Sequence, residues 1–335
     1  MAINVAINGF GRIGRLVLRG IIESGRKDVN VVAINDLGTV DANAHMLQYD
    51  SIHGPLNAKV RATKTGLNVG GRGIKVLAER DPANLPWGKM GVDVALECTG
   101  LFTSRDDAAK HIDAGAKRVL VSAPAGNADL TVVYGVNDKK LRKSHKVVSN
   151  ASCTTNCLAP VAQVLNKTCG IARGYMTTVH AFTGDQRTVD TLHSDLRRAR
   201  AASLSMIPTS TGAAKAVGLV LPELDGKLDG TAVRVPTPNV SMIDLVFEAK
   251  RKTTVEAINT AISKAAAGQL KGVLGVCNQP MVSIDFNHNP NSSTFDLTQT
   301  QIVGGKLVRV LSWYDNEWGF ANRMSDTAVV MGKLG

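Results

Sequence analysis

The stretch Ile-Asn-Val-Ala-Ile-Asn-Gly-Phe-Gly-Arg-Ile-Gly, residues 3–14, decides the fold of the first half of this chain. Its first six residues are mostly apolar, and the pattern G-x-G-x-x-G follows at once with Gly9, Gly11 and Gly14. In this pattern the first glycine makes a tight turn, the second lets a phosphate approach the backbone, and the third lets the next helix pack closely on the sheet. The free amides and the dipole at the helix start favour an anion. The stretch therefore predicts a strand, a turn and a helix that bind the pyrophosphate of a dinucleotide.

A second strand is predicted over residues 29–35, and it ends at Asp36, 22 positions after Gly14. In dinucleotide-binding folds an acidic residue at about this distance hydrogen-bonds the ribose hydroxyls. A carboxylate there repels the 2′-phosphate of NADP, so we expect NAD to be the cofactor.

Length and composition bound the remaining possibilities. At about 150 residues per domain, 335 residues predict two domains, and 44% hydrophobic with 20% charged residues excludes a disordered chain or a coiled coil. No apolar run reaches the length of about 18 residues that a membrane span needs, and the N-terminus lacks a basic signal-peptide region, so we expect a cytoplasmic protein.

The net charge of +11 raises the question of nucleic acid, but the charges are scattered and anionic metabolites explain them equally well. The five cysteines form no metal-binding spacing, so neither a metal site nor a disulfide framework is expected.

The pattern of elements changes near residue 152. Before it, short Val- and Ile-rich runs alternate with stretches of helical spacing, which is typical of a parallel sheet covered on both faces. After it, longer alternating strands indicate a largely antiparallel sheet with helices. The predicted fold class is α/β: a Rossmann-type doubly wound parallel sheet over 1–152, completed by a C-terminal helix within 316–335, plus an α+β domain over 153–315. The pattern also predicts a strand at 131–136, a helix at 212–221 and a strand at 281–286.

A second motif, Ser-Asn-Ala-Ser-Cys-Thr-Thr-Asn at 149–156, places Cys153 at the start of a predicted helix. The helix N-terminus stabilises a thiolate, so we expect the pKa of Cys153 to lie below the ordinary value of about 8.5. His180, near the end of a predicted strand, is a candidate base, although taken alone it is better explained as a structural histidine. A reactive thiol beside a nicotinamide indicates covalent oxidation of an aldehyde through a hemithioacetal and a thioester.

Several short segments combine hydroxyls, glycine and arginine, which are groups that bind anions. Each of them alone is equally explained as a cap, a turn or a solvated charge. They are Ser152 and Thr154, Thr183, Arg197-Arg198 with Arg200, Thr209-Ser210-Thr211-Gly212, and Arg234.

Taken together, these motifs resemble the family of phosphorylating glyceraldehyde-3-phosphate dehydrogenases over essentially the whole chain. The segments GFGRIGR at 9–15 and SNASCTTNCLAP at 149–160 carry the resemblance. It implies an enzyme of glycolysis or gluconeogenesis that oxidises glyceraldehyde 3-phosphate to 1,3-bisphosphoglycerate with NAD and inorganic phosphate. It also implies a homotetramer, in which residues from His180 to about Ser205 line the cofactor site of a neighbouring subunit.

The resemblance assigns roles to individual positions. Cys153 matches the nucleophile, and His180 matches the residue that activates the thiol and moves the proton. The implied NAD contacts are Gly9, Gly11, Arg12, Ile13, Gly14, Asp36, Arg80, Ser122 and Asn316. The implied phosphate contacts are Thr183 and Arg234 for the substrate, and Ser152, Thr154, Thr211 and Gly212, with Arg198 nearby, for the attacking phosphate.

Two departures from the family pattern and two alternatives remain. Phe320 stands where many members have Tyr, and Asp-Thr-Leu at 190–192 stands where strictly NAD-dependent members often have Asp-Leu-Pro, which loosens the preference for NAD over NADP. Erythrose-4-phosphate dehydrogenase shares the thiol and the histidine but typically lacks the Thr-Gly-Asp of 183–185 and the segment of 210–215 that stand here. A basic RNA- or protein-binding role without catalysis is the second alternative.

Overall fold

The computed structural model describes residues 2–334, which divide into two compact units. The first unit runs to Ser152 and includes the residues from Phe320 onward, and the second is Cys153–Gly319. Among residues 2–334, no helix is both long enough and apolar enough to cross a membrane.

The first unit contains a nine-stranded sheet in the order β3-β4-β5-β2-β1-β6-β7-β9-β8. From β5 to β8 all neighbours are parallel, whereas β3, β4 and β5 form antiparallel hairpins, so the predicted Rossmann-type sheet is confirmed. Strands of such a sheet are buried on both faces, and Val5, Ala6 and Ile7 are each 0% exposed. The elements are β1 Ile3–Asn8, α1 Arg12–Glu23, β2 Val29–Asn35, α2 Val40–Gln48, β3 Val60–Thr63, β4 Gly66–Val69, β5 Arg72–Leu77, β6 Val94–Glu97, α3 Arg105–Asp113, β7 Arg118–Val121, β8 Leu130–Thr131 and β9 Val147–Ser149.

The second unit contains an eight-stranded sheet in the order β11-β12-β10-β13-β17-β15-β14, with β16 pairing β17. Only the β10–β12 and β14–β15 pairs are parallel, so the predicted, largely antiparallel α+β domain is also confirmed. The elements are α4 Cys153–Thr168, β10 Ile171–Ala181, β11 Ile207–Ser210, α5 Val217–Val220, β12 Leu228–Val235, β13 Ser241–Ala249, α6 Val255–Ala267, β14 Leu274–Cys277, β15 Ser293–Asp296, β16 Gln301–Val303 and β17 Leu307–Tyr314. The last helix, α7 Trp318–Gly332, begins in this unit and belongs to the first unit from Phe320 onward.

The part of α7 from Phe320 onward packs within the first unit. Thr327 Oγ1 donates a hydrogen bond to Asn150 Oδ1 at 2.9 Å. A Cβ at Gly332 would lie 2.5 Å from Ile3 Cγ2, so the end of the helix approaches β1 as closely as a glycine allows. The C-terminal helix thus begins at Trp318, two residues after the start of the predicted segment.

Three predicted elements are wrong, and local hydrogen bonding explains them. The strand at 131–136 ends at Thr131, because the Asn137 amide accepts from Val133 N and donates to Thr131 O, which closes a turn. The strand at 281–286 is a 3₁₀ helix, Ser283–Phe286, whose start is capped by the Asp285 carboxylate. The helix at 212–221 shrinks to α5, because Gly212 disfavours a helix start and Pro222 restricts the residue before it.

Candidate active site and nucleotide site

The glycine-rich turn after β1 leaves the start of α1 open. Gly9 has φ +88°, and a Cβ there would lie 2.7 Å from Thr99 N. A Cβ at Gly14 would lie 2.1 Å from Gly9 O, whereas a Cβ at Gly11 would have no atom of residues 2–334 within 4 Å apart from those of its chain neighbours. Gly11 is the N-cap of α1 and supplies no side-chain cap, and a helix start with this glycine-rich entry is where an anion binds to backbone amides.

A cavity of about 400 Å³ lies at the carboxyl ends of β1, β2 and β6, where parallel α/β sheets bind ligands. Asp36 lies on its wall and accepts hydrogen bonds from Phe10 N (2.9 Å) and Gly38 N (2.8 Å). Each carboxylate oxygen therefore has one backbone partner and can accept a further hydrogen bond. The wall is formed by Asn8, Gly9, Gly11, Asn35, Asp36, Leu37, Glu79, Arg80, Cys98, Thr99, Leu101 and Phe102.

The side chain of Arg12 does not belong to this wall. Its Nη1 donates to Asp50 Oδ2 at 2.6 Å, and the ion pair holds the pKa of the Asp50 carboxyl at about 2 against the effect of burial. An anion at the start of α1 would therefore meet the backbone of Arg12 and Ile13. Ser122, which follows β7, hydrogen-bonds the thiol of the wall residue Cys98.

Beneath the cavity lies a buried carboxylate that sequence reasoning missed. Glu97 Oε2 accepts from Asn8 Nδ2 (2.6 Å) and lies 3.0 Å from His111 Nε2, and Glu97 Oε1 accepts from Thr99 N (2.7 Å) and Thr99 Oγ1 (2.5 Å). Trp87 Nε1 donates to His111 Nδ1 at 2.9 Å, so the proton of this imidazole is on Nε2, facing Glu97. Glu97 is 1% exposed and His111 is 0% exposed. The network fixes Asn8 and Thr99, both of which line the cavity.

In the second unit, α4 and β10 bring Cys153 and His180 together, the pairing that the family resemblance implies. Cys153 is the first residue of α4, and its Sγ lies 3.5 Å from His180 Nε2. His180 is the penultimate residue of β10 and is 4% exposed, whereas Cys153 is only half-buried. The imidazole is thus buried, whereas Cys153 as a residue keeps part of its surface exposed.

The neighbours of Nδ1 decide which nitrogen of His180 carries the proton. Its Nδ1 lies 2.6 Å from the carbonyl oxygen of Ala181, which can only accept, so Nδ1 carries the proton. The guanidinium of Arg234, whose Nη1 lies 3.1 Å from the same nitrogen, then donates to Ala181 O (3.2 Å) and Thr183 Oγ1 (3.3 Å). Nε2 is therefore left with a free lone pair directed at the Cys153 sulfur, which is the arrangement of a base.

The pKa values of this pair correct one expectation. Burial raises the pKa of the Cys153 thiol, although the charge of Arg234 and hydrogen bonds from Thr154 oppose the rise, so the predicted low pKa is wrong. Burial and the charge of Arg234 lower the pKa of His180 to about 3. At neutral pH the pair is consequently a thiol facing a neutral imidazole. Cys157, one turn further along α4, is no rival nucleophile, because burial raises its pKa to about 12.

Arg234 and Arg198 differ in how their charges are compensated. Arg198 Nη1 lies 2.6 Å from Asp185 Oδ2, and its Nε donates to Thr209 Oγ1. Arg234 lies on β12 beside His180, has no carboxylate within ion-pair distance among residues 2–334, and its buried Nε has no hydrogen-bond partner there. Burial lowers the pKa of Arg234. A partly buried cation without a counterion favours a bound anion at this place.

The remaining predicted phosphate contacts lie on two segments. Thr154 is buried in the first turn of α4, and Ser152 comes immediately before that helix. Thr211 and Gly212 follow β11, and Thr211 Oγ1 accepts from Ala213 N at 3.2 Å, so this hydroxyl caps a turn. Gly212 is exposed, with no atom within 4 Å of its Cβ position.

Tyr314 joins α4 to β10, the strand of His180, and no pattern in the sequence singled it out. Its hydroxyl lies 2.8 Å from Thr154 Oγ1 and 2.9 Å from Thr178 Oγ1, and its ring meets the His180 imidazole edge-on at 5.8 Å. Tyr314 is 2% exposed and ends β17, so it fixes the first turn of α4 against β10. Asn316, two residues later, is 5% exposed and accepts from Ser241 Oγ at 2.8 Å.

Comparison with known proteins gives a consistent result over the whole chain. The family model "Glyceraldehyde 3-phosphate dehydrogenase, NAD binding domain" matches residues 3–105, and "Glyceraldehyde 3-phosphate dehydrogenase, C-terminal domain" matches residues 152–316. The chain is 70% identical to a glyceraldehyde-3-phosphate dehydrogenase of Xanthobacter flavus over 335 residues, with 100% of both chains covered. It is 65% identical to that of Cereibacter sphaeroides over 334 residues and 56% identical to that of Geobacillus stearothermophilus over 336 residues, again with both chains fully covered.

Proposed function

Because the chain belongs to the glyceraldehyde-3-phosphate dehydrogenase family, we propose that it oxidises glyceraldehyde 3-phosphate to 1,3-bisphosphoglycerate with NAD and inorganic phosphate, in glycolysis or gluconeogenesis. The observation that carries this proposal is the Cys153 thiol 3.5 Å from an unprotonated imidazole nitrogen, beside an uncompensated arginine. A nucleophile, a base and an anion site are the three groups that this chemistry needs.

His180 moves the protons of the reaction. Its Nε2 takes the thiol proton as the Cys153 sulfur bonds to the aldehyde carbon, and the proton passes to the former carbonyl oxygen to give a hemithioacetal. His180 then accepts the hydroxyl proton of this intermediate as its C–H bond breaks, which leaves a thioester on Cys153. NAD, when bound, supplies the acceptor for the hydride. An oxygen of inorganic phosphate attacks the thioester carbon and the C–S bond breaks, which gives an acyl phosphate. The proton on His180 returns to the Cys153 sulfur, and the proton of the attacking phosphate is released to water.

Two groups of residues hold the phosphates in this proposal. Arg234 and Thr183, 3.3 Å apart, bind the phosphate of the substrate, and their position beside His180 supports this role. We assign the binding of the attacking phosphate to Ser152, Thr154, Thr211 and Gly212, with Arg198 nearby. Arg198 is already paired with Asp185, so it contributes less net charge than Arg234.

The residues of the first unit fit one half of a dinucleotide. We assign the pyrophosphate to the start of α1, at the backbone of Gly11, Arg12 and Ile13. The adenosine ribose goes to Asp36, whose carboxylate favours NAD over NADP. Gly9, Gly14, Arg80 and Ser122 complete this site, and Asn316 contacts the nicotinamide carboxamide.

We further propose that the protein is a cytoplasmic homotetramer. The segment 183–206 exposes five large apolar side chains, which a second copy of the chain would cover: Val189, Leu192, Leu196, Leu204 and Met206, each at least 69% exposed. Light scattering tests this assembly, and a fully active monomer would contradict it.

The test of the function is NADH formation by the purified protein, with and without inorganic phosphate. We expect phosphate-dependent activity that Cys153→Ser abolishes and that the matched control Cys277→Ser retains. Comparing kcat/KM for glyceraldehyde 3-phosphate and erythrose 4-phosphate, and for NAD and NADP, separates the alternatives. An inactive protein would favour the binding role without catalysis.

A further inference from the structure

Ser241 lies between the end of the His180 strand and the side chain of Asn316. It is the first residue of β13, 1% exposed, and its hydroxyl has two partners. Ser241 Oγ accepts from Ala181 N at 3.0 Å and lies 2.8 Å from Asn316 Oδ1. One hydroxyl thus links the end of the His180 strand to the side chain assigned to the nicotinamide.

The direction of these hydrogen bonds follows from counting donors. The Ala181 N–H can only donate, so Ser241 Oγ accepts there and retains one proton of its own. Within the described chain, the only other partner of this hydroxyl is Asn316, so the proton goes to the Asn316 carbonyl oxygen. The Asn316 amide is therefore oriented with its NH₂ group on the side away from Ser241.

The backbone before Ser241 is held in a conformation that a β-branched residue seldom adopts. Val240 has φ +67° and is 3% exposed. Asn239, one residue earlier, donates to Asp315 Oδ2 and to Asn287 Oδ1, both at 2.8 Å. A strained backbone persists only where the surrounding structure holds it in place. Here the held segment, 239–241, places the Ser241 hydroxyl next to Asn316.

We propose that Ser241 is a positioning residue for the cofactor: it locks the Asn316 amide so that its NH₂ group donates to the carbonyl oxygen of the nicotinamide carboxamide. The inference rests on the proposed function and deepens it. Without the Ser241 hydroxyl the Asn316 amide can rotate by half a turn. Its carbonyl oxygen would then face the carbonyl oxygen of the nicotinamide carboxamide, and no hydrogen bond would form. Ser241 itself need not touch the cofactor.

The test compares Ser241→Ala with Ser312→Ala, a fully buried serine on the neighbouring strand β17 whose hydroxyl bonds Ser293. Loss of one positioned hydrogen bond predicts a rise of roughly fivefold to tenfold in KM for NAD in Ser241→Ala and little change in the control. The rate of Cys153 alkylation without NAD should stay within about twofold in both variants, because neither change removes the thiol or the imidazole.

Two further measurements separate positioning from general damage. Thionicotinamide adenine dinucleotide offers a sulfur that accepts hydrogen bonds poorly, so the preference of kcat/KM for NAD over this analogue should shrink in Ser241→Ala alone. On an Asn316→Ala background, Ser241→Ala should add almost nothing to KM. An unchanged preference, a full additional loss, or an equal loss of Cys153 alkylation would overturn the proposal. An inactive parent protein would instead refute the proposed function.

Discussion

Acidification should destabilise the second unit through His180. Folding lowers the pKa of this imidazole from 6.5 to about 3, chiefly by burial. Between these two pH values the unfolded chain binds a proton at His180 and the folded chain does not. This contribution to stability is complete above about pH 6.5 and is lost as the pH falls toward 3. The slope approaches about 1.4 kcal/mol per pH unit, which amounts to about 3 kcal/mol at about pH 4.

The measurement compares the parent chain with His180→Gln, which cannot take up this proton. Urea unfolding at about pH 7.5 and about pH 4 is followed by tryptophan fluorescence on a Trp87→Phe background, so that the remaining tryptophans, Trp313 and Trp318, both lie in the second unit. Glutamine has its own cost in a buried site, but that cost is independent of pH. We therefore expect the stability difference between the two proteins to shift by about 3 kcal/mol in favour of the variant at the lower pH.

The matched control is His145→Gln, which lies in the first unit, outside the region that these two tryptophans report. A shift below about 1 kcal/mol in His180→Gln would refute the reasoning, because His180 would then not be kept neutral by burial. Its assignment as the base that receives the Cys153 proton would lose its physical ground.

Three other substitutions test separate parts of the account. Arg234→Ala should raise KM for glyceraldehyde 3-phosphate by at least about tenfold while leaving NAD affinity unchanged in a binding titration, and equal loss of both would make the residue structural. Glu97→Ala leaves buried donors of Asn8 and His111 unpaired and should cost about 3 kcal/mol of stability, measured by denaturant unfolding; a loss below about 1 kcal/mol would show that the network is dispensable. Gly9→Ala forces a Cβ to within 2.7 Å of Thr99 N at φ +88° and should weaken NAD binding more than about tenfold by calorimetry, whereas unchanged affinity would contradict the close-approach argument.

The sequence predicts best what depends on local pattern. Strands β1 and β2 have the predicted bounds, because a buried parallel strand is a continuous apolar run that ends at a turn. The Gly9 turn, the start of α4 at Cys153 and the end of β10 near His180 were likewise readable from neighbouring residues. The pairing of Cys153 with His180 needed the family resemblance, since nothing local says which histidine a thiol meets.

What the sequence did not predict depends on contacts between distant segments. Glu97 and His111 look like ordinary residues of a strand and a helix, and only the fold encloses them together with Trp87. The direction of the pKa shift of Cys153 also depends on tertiary burial, which outweighs the helix N-terminus that the sequence displays. The strand predicted at 131–136 is wrong because the Asn137 amide closes a turn with the backbone of Thr131 and Val133. A hydrophobic periodicity does not show such a turn.

A single turnover without inorganic phosphate tests the central claim most directly. Mixing the protein with NAD and glyceraldehyde 3-phosphate should yield one NADH per active chain and an acyl group on Cys153, identified by mass spectrometry of the digested protein. Added phosphate should then release that group as an acyl phosphate. NADH formation without an acylated Cys153, or acylation of another cysteine, would contradict the account.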